Sequence, residues 1–460
     1  MKQTSNKWVL VSLSLSTLMA SLGVSIANIA LPTLTIEFST TFQSVQWVVI
    51  SYLLSITVMI VSIGRFGDIY GLRKILLFGV VIYTLSSFLC GISPTLWSLV
   101  LSRALQGFGA AILIVITLAF VRNVISEKKI GSAMGMLGTM SAIGTALGPT
   151  LGGLLIQNLG WRFIFYIMIP LGVFNFFLIK KYLPKTKIQS NPEDKKNDWI
   201  GIILLIITLS SYTMAMTIGK GNFNWLNLTL ILLAGIGGVI FIYSQNKIKK
   251  PLIELSILEN KNLKIGLLVN SLVSTVMMTT LVVGPFFLSF ALGLNETYVG
   301  IVMSFGPIIS AITGVPSGKL VDRFGSKLII RVGLLIMVIG AFLLSILPIQ
   351  IGVFGYIISL SILTPGYQLF QAANNTSVMM DANKNQQGVI SGILNLSRNL
   401  GLITGASAMG ALFAYAVGTS NFKEADIHNI SKGMSFTFII AGILISFGWI
   451  ISILKTKHKS

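Results

Sequence analysis

The run Gly144-Thr-Ala-Leu-Gly-Pro-Thr-Leu-Gly-Gly153 sits inside an apolar stretch that begins near Gly131. Gly144, Gly148 and Gly152 recur at every fourth residue, so on a helix they line one face. In lipid there is little hydrophobic drive between helices, and such a stripe lets a neighbouring backbone approach closely enough for dispersion to hold the pair. Pro149 has no N–H to give to the carbonyl of Thr145, so a kink is expected beside the stripe. A tightly packed structural helix accounts for this much.

The surrounding chain says what kind of molecule the helix belongs to. Of 460 residues, 54% are hydrophobic and only 10% charged, with a mean hydropathy of +0.86, which excludes a set of soluble domains. A crossing needs about 20 apolar residues, and on that template the chain reads as an all-α integral membrane protein of 14 spans. The first apolar run, near Trp8–Leu31, has no small-residue cleavage site and reads as a first span, not a removed signal.

The net charge of +20 is explained by topology and calls for no nucleic-acid partner. With both termini cytoplasmic, 27 Lys and Arg fall on the inner side and only Arg162, Lys220, Lys423 and Lys432 on the outer, as the positive-inside rule requires of a multi-pass cell-membrane protein. The remaining two, Arg103 and Arg398, fall inside spans.

The chain repeats itself. Gly64-Arg-Phe-Gly-Asp-Ile-Tyr-Gly-Leu-Arg-Lys74 recurs as Gly318-Lys-Leu-Val-Asp-Arg-Phe-Gly-Ser-Lys327, an offset of 254. Gly131, Gly135, Gly144 and Gly148 recur as Gly388, Gly392, Gly401 and Gly405, an offset of 257. Two echoes at nearly one offset imply two six-helix bundles, 1–183 (spans 1–6) and 263–460 (spans 9–14). Between them, 184–262 holds a Lys-rich cytoplasmic linker and two inserted spans, 7 and 8. Substrate then belongs at the interface of the halves.

Several residues carry chemistry. Asp68 and Asp322 sit in the repeated turn, where a carboxylate can face a helix N-terminus or pair with nearby Arg and Lys. Arg103 lies in Leu101-Ser-Arg-Ala-Leu-Gln-Gly-Phe-Gly-Ala-Ala111 with Gln106 one turn on. An arginine at a helix centre costs on the order of 2.5–3.5 kcal/mol and marks function by default, although Arg103 is close enough to a span end to snorkel. Arg398 is deeper, roughly 16 Å into its span at 1.5 Å per residue, flanked by Asn395 and Asn399. Tyr367, Gln368, Gln371, Asn374 and Asn375 put amides on one helix face, and with Asn28, Asn175 and Asn270 they face either a bundle contact or a water-filled cavity. Trp47, Trp97, Trp161, Trp199 and Trp225 at span ends read as an interfacial belt. The lone Cys90 and the two histidines offer no disulfide, metal site or catalytic cluster, so neither a cofactor nor an enzyme is expected.

Together the repeated turn, the Arg103 segment, the Gly144–Gly153 run, Asn28-Ile-Ala-Leu-Pro32, Gln46-Trp-Val-Val-Ile-Ser-Tyr-Leu-Leu54 and Trp161-Arg-Phe-Ile-Phe165 resemble the 14-span drug:proton antiporter group of the major facilitator superfamily. The resemblance implies a proton-coupled exporter of small molecules, multidrug efflux and antibiotic resistance included, working by alternating access as a monomer. It implies that Asp68 and Asp322 latch the inner side, that Arg103 takes part in proton transfer or substrate response, and that Gly144, Gly148 and Pro149 form the antiporter helix. The family often carries an aspartate where this chain has Gly23. None of the 13 acidic residues falls in mid-span, so a cavity holding two arginines favours neutral, zwitterionic or anionic substrates, and an anionic or zwitterionic metabolite carrier or lipid flippase of the same fold is the alternative. Glu37, beyond Pro32, is the acid nearest Arg103 in depth, and the two are expected to pair as an outward-side proton switch unless Glu37 is simply solvated.

Overall fold

The computed structural model describes residues 2–124, 127–184, 198–218, 224–248, 251, 260–380, 387–419, 422 and 425–457. Among these residues there is no strand, and 13 helices are long and apolar enough to cross a bilayer. They are α1 (Lys2–Glu37), α2 (Phe42–Tyr70), α3 (Leu72–Gly91), α4 (Leu96–Val124), α5 (Glu127–Leu159), α6 (Phe163–Tyr182), α7 (Trp199–Thr217), α8 (Trp225–Lys247), α9 (Lys261–Ala291), α10 (Glu296–Phe324), α11 (Ser326–Met380), α12 (387–417) and α13 (Ile427–Lys457).

Starts and stops follow local chemistry. Asn295 opens α10 by accepting from Tyr298 N at 3.0 Å, and Asp198 opens α7 by accepting from Gly201 N at 2.7 Å, each satisfying a donor that has no intrahelical partner. The twin turns found by repeat are twins in conformation. Gly71 joins α2 to α3 at φ 89° and Gly325 joins α10 to α11 at φ 79°, a region that a side chain disfavours.

The expected 14 spans and the 13 helices differ at one place. α11 as a single rod would measure about 80 Å at 1.5 Å per residue, against a hydrocarbon core of about 30 Å. Its backbone leaves helical geometry at Ile351 (φ −127°, ψ 21°) and Gly352 (φ 59°, ψ −133°). The arms on either side fold back on each other: a Cβ on Gly333 would lie 2.7 Å from Phe370 N, and one on Gly340 would lie 2.7 Å from Leu363 Cα. The turn takes only these two residues, so the two apolar arms stand as one run, and 13 helices stand for 14 expected spans.

The packing is organised by glycine. α5 presents Gly144 to the Leu18 carbonyl of α1, at 2.8 Å for an added Cβ, and Gly148 to Ser25 and Ile26, where a Cβ would overlap Ser25 Oγ. Ser25 Oγ in turn donates to Gly144 O at 3.2 Å. On its other flank α5 meets α10, with Gly153 against the Glu296 carbonyl, Gly300 against that of Pro149, and Thr150 Oγ1 3.0 Å from Ser304 Oγ. α12 repeats the scheme, laying Gly401 on Ser271 and Gly405 on Thr275 of α9.

These contacts seal one end of the bundle, the end that carries Glu37. There Phe42, Phe286, Phe413 and Phe422, all fully buried, form one aromatic cluster with ring centroids 4.5–5.5 Å apart. Gln46 Nε2 donates to Ala406 O at 2.7 Å beside it, where α12 loosens into a π-turn over Gly405–Met409. At the opposite end, which carries Gly71 and Gly325, Gly138, Gly318 and Gly392 meet no described atom within 4 Å. The contacts described between α1, α2 and α5 on one side and α9, α10 and α12 on the other are thus gathered toward the Glu37 end.

Gly148→Leu should destabilise the protein by about 1–3 kcal/mol through overpacking, read as a lower Tm in detergent. Gly138→Leu, placed in open space, should leave Tm nearly unchanged.

Candidate functional site

Gly107 and Gly109 let α4 approach its neighbours until an added Cβ would overlap the Tyr52 carbonyl of α2 or lie 2.8 Å from Tyr83 N of α3. Arg103, one turn earlier, is thereby driven into the space between these helices and is 0% exposed, so it does not snorkel. Its Nε donates to Val48 O at 2.9 Å, its Nη1 to Gln106 Oε1, and its guanidinium lies 4.1 Å from the Tyr52 ring centroid. Gln106 Nε2 passes the chain on to Ser87 Oγ at 2.7 Å, and Ser87 donates to Tyr83 O at 2.6 Å. Nη2 has no partner.

Gly23 explains how this charge is kept without an acid. A Cβ there would overlap Tyr83 Oη and lie 3.0 Å from Tyr52 Oη. Those hydroxyls donate to α1 carbonyls, Tyr83 to Met19 at 2.7 Å and Tyr52 to Ala20 at 3.0 Å. Two phenols thus fill the volume that a carboxylate at position 23 would need.

The Glu37–Arg103 pair expected from depth is not formed. Glu37 Oε1 lies 3.4 Å from Arg162 Nη1, with both side chains more than two-fifths exposed, while Arg103 is enclosed by α2, α3 and α4. An exposed pair of this kind contributes about 0–1 kcal/mol. Gln106 and Asn28, expected to line a cavity, are enclosed instead. Gln106 is enclosed as Arg103's partner, and Asn28, 1% exposed, turns its Nδ2 back to Val24 O at 3.0 Å. Asn175 likewise serves packing, bonding Ser12 and Ser16 of α1.

The other amides do gather. Asn270 Nδ2 donates to Leu394 O at 3.1 Å and its Oδ1 accepts from Gln371 Nε2 at 3.2 Å, joining α9, α11 and α12. Gln368 Nε2 reaches Ser310 of α10. Asn374 is buried, Asn375 is exposed, Asn395 is half-buried, and Arg398 is exposed. Asp322 is exposed at the Gly71 end, whereas the side chain of Asp68, although on α2, lies outside the described residues, as does Asp381. Gly144, Gly148 and Pro149 lie at the α1 and α10 contacts. Among the described residues no three His, Cys, Asp or Glu converge as metal ligands.

Sequence reasoning missed Tyr52, Tyr83 and Ser87. Their signal was available as polar groups in spans 2 and 3 that need partners in hydrocarbon. Trp161, read as a belt residue, is buried at 4% exposure and stacks under Arg162, and Trp47 donates to Thr217 of α7.

The sequence profile described as Major Facilitator Superfamily matches residues 13–406. The riboflavin transporter RibZ of Clostridioides difficile is 30% identical over 413 residues, covering 89% of each chain. The multidrug resistance protein Stp of Mycobacterium tuberculosis is 29% identical over 409 residues, covering 88% of this chain and 75% of its own. Among solved structures, a D-xylose–proton symporter superposes with a TM-score of 0.70 at 13% identity, covering 97% of this chain and 96% of that one.

Gln106→Leu strands Arg103 Nη1 in addition to Nη2 and should cost about 1–3 kcal/mol, the scale of a buried group left unsatisfied. Gln106→Glu supplies a countercharge and should be tolerated better. Thermal unfolding of the two purified variants gives the order.

Proposed function

Because this chain belongs to the Major Facilitator Superfamily, and is accordingly a membrane transporter and not an enzyme, we propose that it is a proton-coupled secondary exporter of small molecules. The observation that carries this reading is the joining of the two groups of helices at one end by the Phe42 cluster and the α5–α10 contact, and we read the other end as the mouth of a cleft between them. Alternating access needs such a one-sided cavity between two rigid bodies. On this reading the bodies are 1–183 and 263–460, with 184–262 inserted, and the two arms of α11 cross the membrane separately, making 14 crossings. The distribution of Lys and Arg supports a cytoplasmic Gly71 end, both termini on that side, and the state seen here as the inward-open one. A monomer in a bacterial plasma membrane is the assembly we infer.

The cargo class is open to two precedents, riboflavin for one relative and multiple drugs for the other, and efflux is the reading favoured by the antiporter-helix run. Coupling needs a group that changes protonation, and arginine does not. Arg103 is therefore a fixed charge that positions α2, α3 and α4, while Asp68, Asp322 or Asp381 at the Gly71 end carries the proton or latches that end. Uptake and efflux in proteoliposomes under an imposed pH gradient test the proposal: transport should follow the gradient and stop when it is collapsed, and gradient-independent transport would remove proton coupling.

Asp68→Asn should lower the transport rate by about tenfold or more, one charge-assisted contact's worth, at unchanged expression, with Asp322→Asn milder. Glu37→Gln should leave the pH dependence of transport unaltered, since Glu37 engages only the exposed Arg162.

A further inference from the structure

α12 has three sides already spoken for. Leu394, Ser397, Gly401 and Gly405 meet α9; Ala406 and Gly410 meet Gln46 of α2; and Ile393, Leu396 and Thr404 lie against the inserted pair, Thr404 accepting from Tyr212 of α7. At 100° per residue Asn395, Arg398 and Leu402 share a strip beside the Leu394–Gly401 line that meets α9. α7 meets α12 at Thr404 and the turn that follows it, and Arg398 lies on the side of α12 turned away from that contact and is exposed. Arg398 makes no hydrogen bond, ion pair or ring contact among the described residues, in contrast to Arg103. No acidic residue occurs anywhere in α9, the second arm of α11 (353–380) or α12.

Asn374 Nδ2 and Asn399 Nδ2, both nine-tenths or more buried on α11 and α12, find no acceptor among the described residues, and Asn270 Oδ1 is already taken by Gln371. The facing strip of α5, between its α1 and α10 contacts, holds Gly138, Ser141 and Thr145. Ser141 is paired with Ser21 at 2.7 Å and Thr145 donates to Ser141 O at 3.0 Å, so this wall is neutral and largely satisfied within itself.

We propose that Arg398 is the anchor of an anion subsite on the α12 wall, so that the cargo of the transporter inferred above is a small organic anion or zwitterion whose carboxylate or phosphate faces α12 and whose apolar body faces Gly138. Two parallel N–H···O bonds from one guanidinium suit such a group. The anion also cancels the charge that closure of the cleft would otherwise desolvate, so the loaded cleft closes more readily than the empty one.

The test uses the full-length protein in phosphatidylcholine proteoliposomes, with fluorescein as the anionic probe and ethidium as the cationic one. Binding of each is read by quenching, and transport by flux under pH and voltage gradients. Wild type should bind fluorescein, and Arg398→Gln should lower the fluorescein-to-ethidium affinity ratio by roughly tenfold or more, the worth of one charge-assisted contact. Arg398→Lys should recover part of it, and an unchanged Tm certifies the fold of each variant. An unaltered ratio in Arg398→Gln, or no fluorescein binding by wild type, overturns the subsite. Phosphatidylglycerol added to the membrane should leave fluorescein affinity unchanged; its loss would give the guanidinium to a lipid headgroup and overturn the small-cargo form. Binding that depends on Arg398 without flux under any gradient keeps the subsite and removes the transport reading. Fluorescein flux indifferent to Arg398→Gln does the reverse.

Discussion

Close approach of backbones at residues without side chains is the constraint on which the rest of this structure depends. Lipid tails are as apolar as leucine, so helices in a bilayer are held by dispersion and hydrogen bonds at short range, not by exclusion of water. α5 exploits this on two flanks at once, giving Gly144, Gly148 and Gly152 to α1, and Gly153 to α10. The first contact binds α5 to α1; the second joins α5 to α10 at the end that carries Glu37. α4 uses Gly107 and Gly109 in the same way, and the burial of Arg103 is a by-product of how near α4 can come to α2 and α3.

The helical fold, the glycine contacts and the twin turns were legible because each rests on period or repeat. Gly71 and Gly325 stand 254 residues apart and adopt nearly the same positive φ. Thirteen helices stand where 14 spans were expected because two apolar segments, joined by a reversal of two residues at Ile351–Gly352, form one run from Ser326 to Met380. Polar side chains were harder. An amide on an apolar helix announces that it has a partner without saying which: Asn270 and Gln371 pair with each other across α9 and α11, while Gln106, Asn28 and Asn175, identical in kind, are enclosed with partners elsewhere. Glu37 was misplaced for a related reason: depth along a span fixes one coordinate, and the partner is decided by azimuth, which puts Arg162 and not Arg103 beside it.

The chain reaches two different settlements with its two intramembrane arginines. Arg103 is held by a carbonyl, an amide and an aromatic face, the means by which a cation can be buried without a countercharge. Arg398 has none of these among the described residues and is exposed. One is therefore held by fixed partners inside the protein, and the other is left to its surroundings.

Enclosure of Arg103 also decides what the surrounding medium can reach. Mobile ions screen charges across a Debye length of about 8 Å at physiological ionic strength, and only where water carries them. Raising the salt concentration therefore weakens Glu37–Arg162 at the rim and the field of Arg398 in the cleft, and leaves the Val48–Arg103–Gln106–Ser87 chain untouched. Ionic strength thus separates the electrostatics of the rim and cleft from those that hold α2, α3 and α4 together.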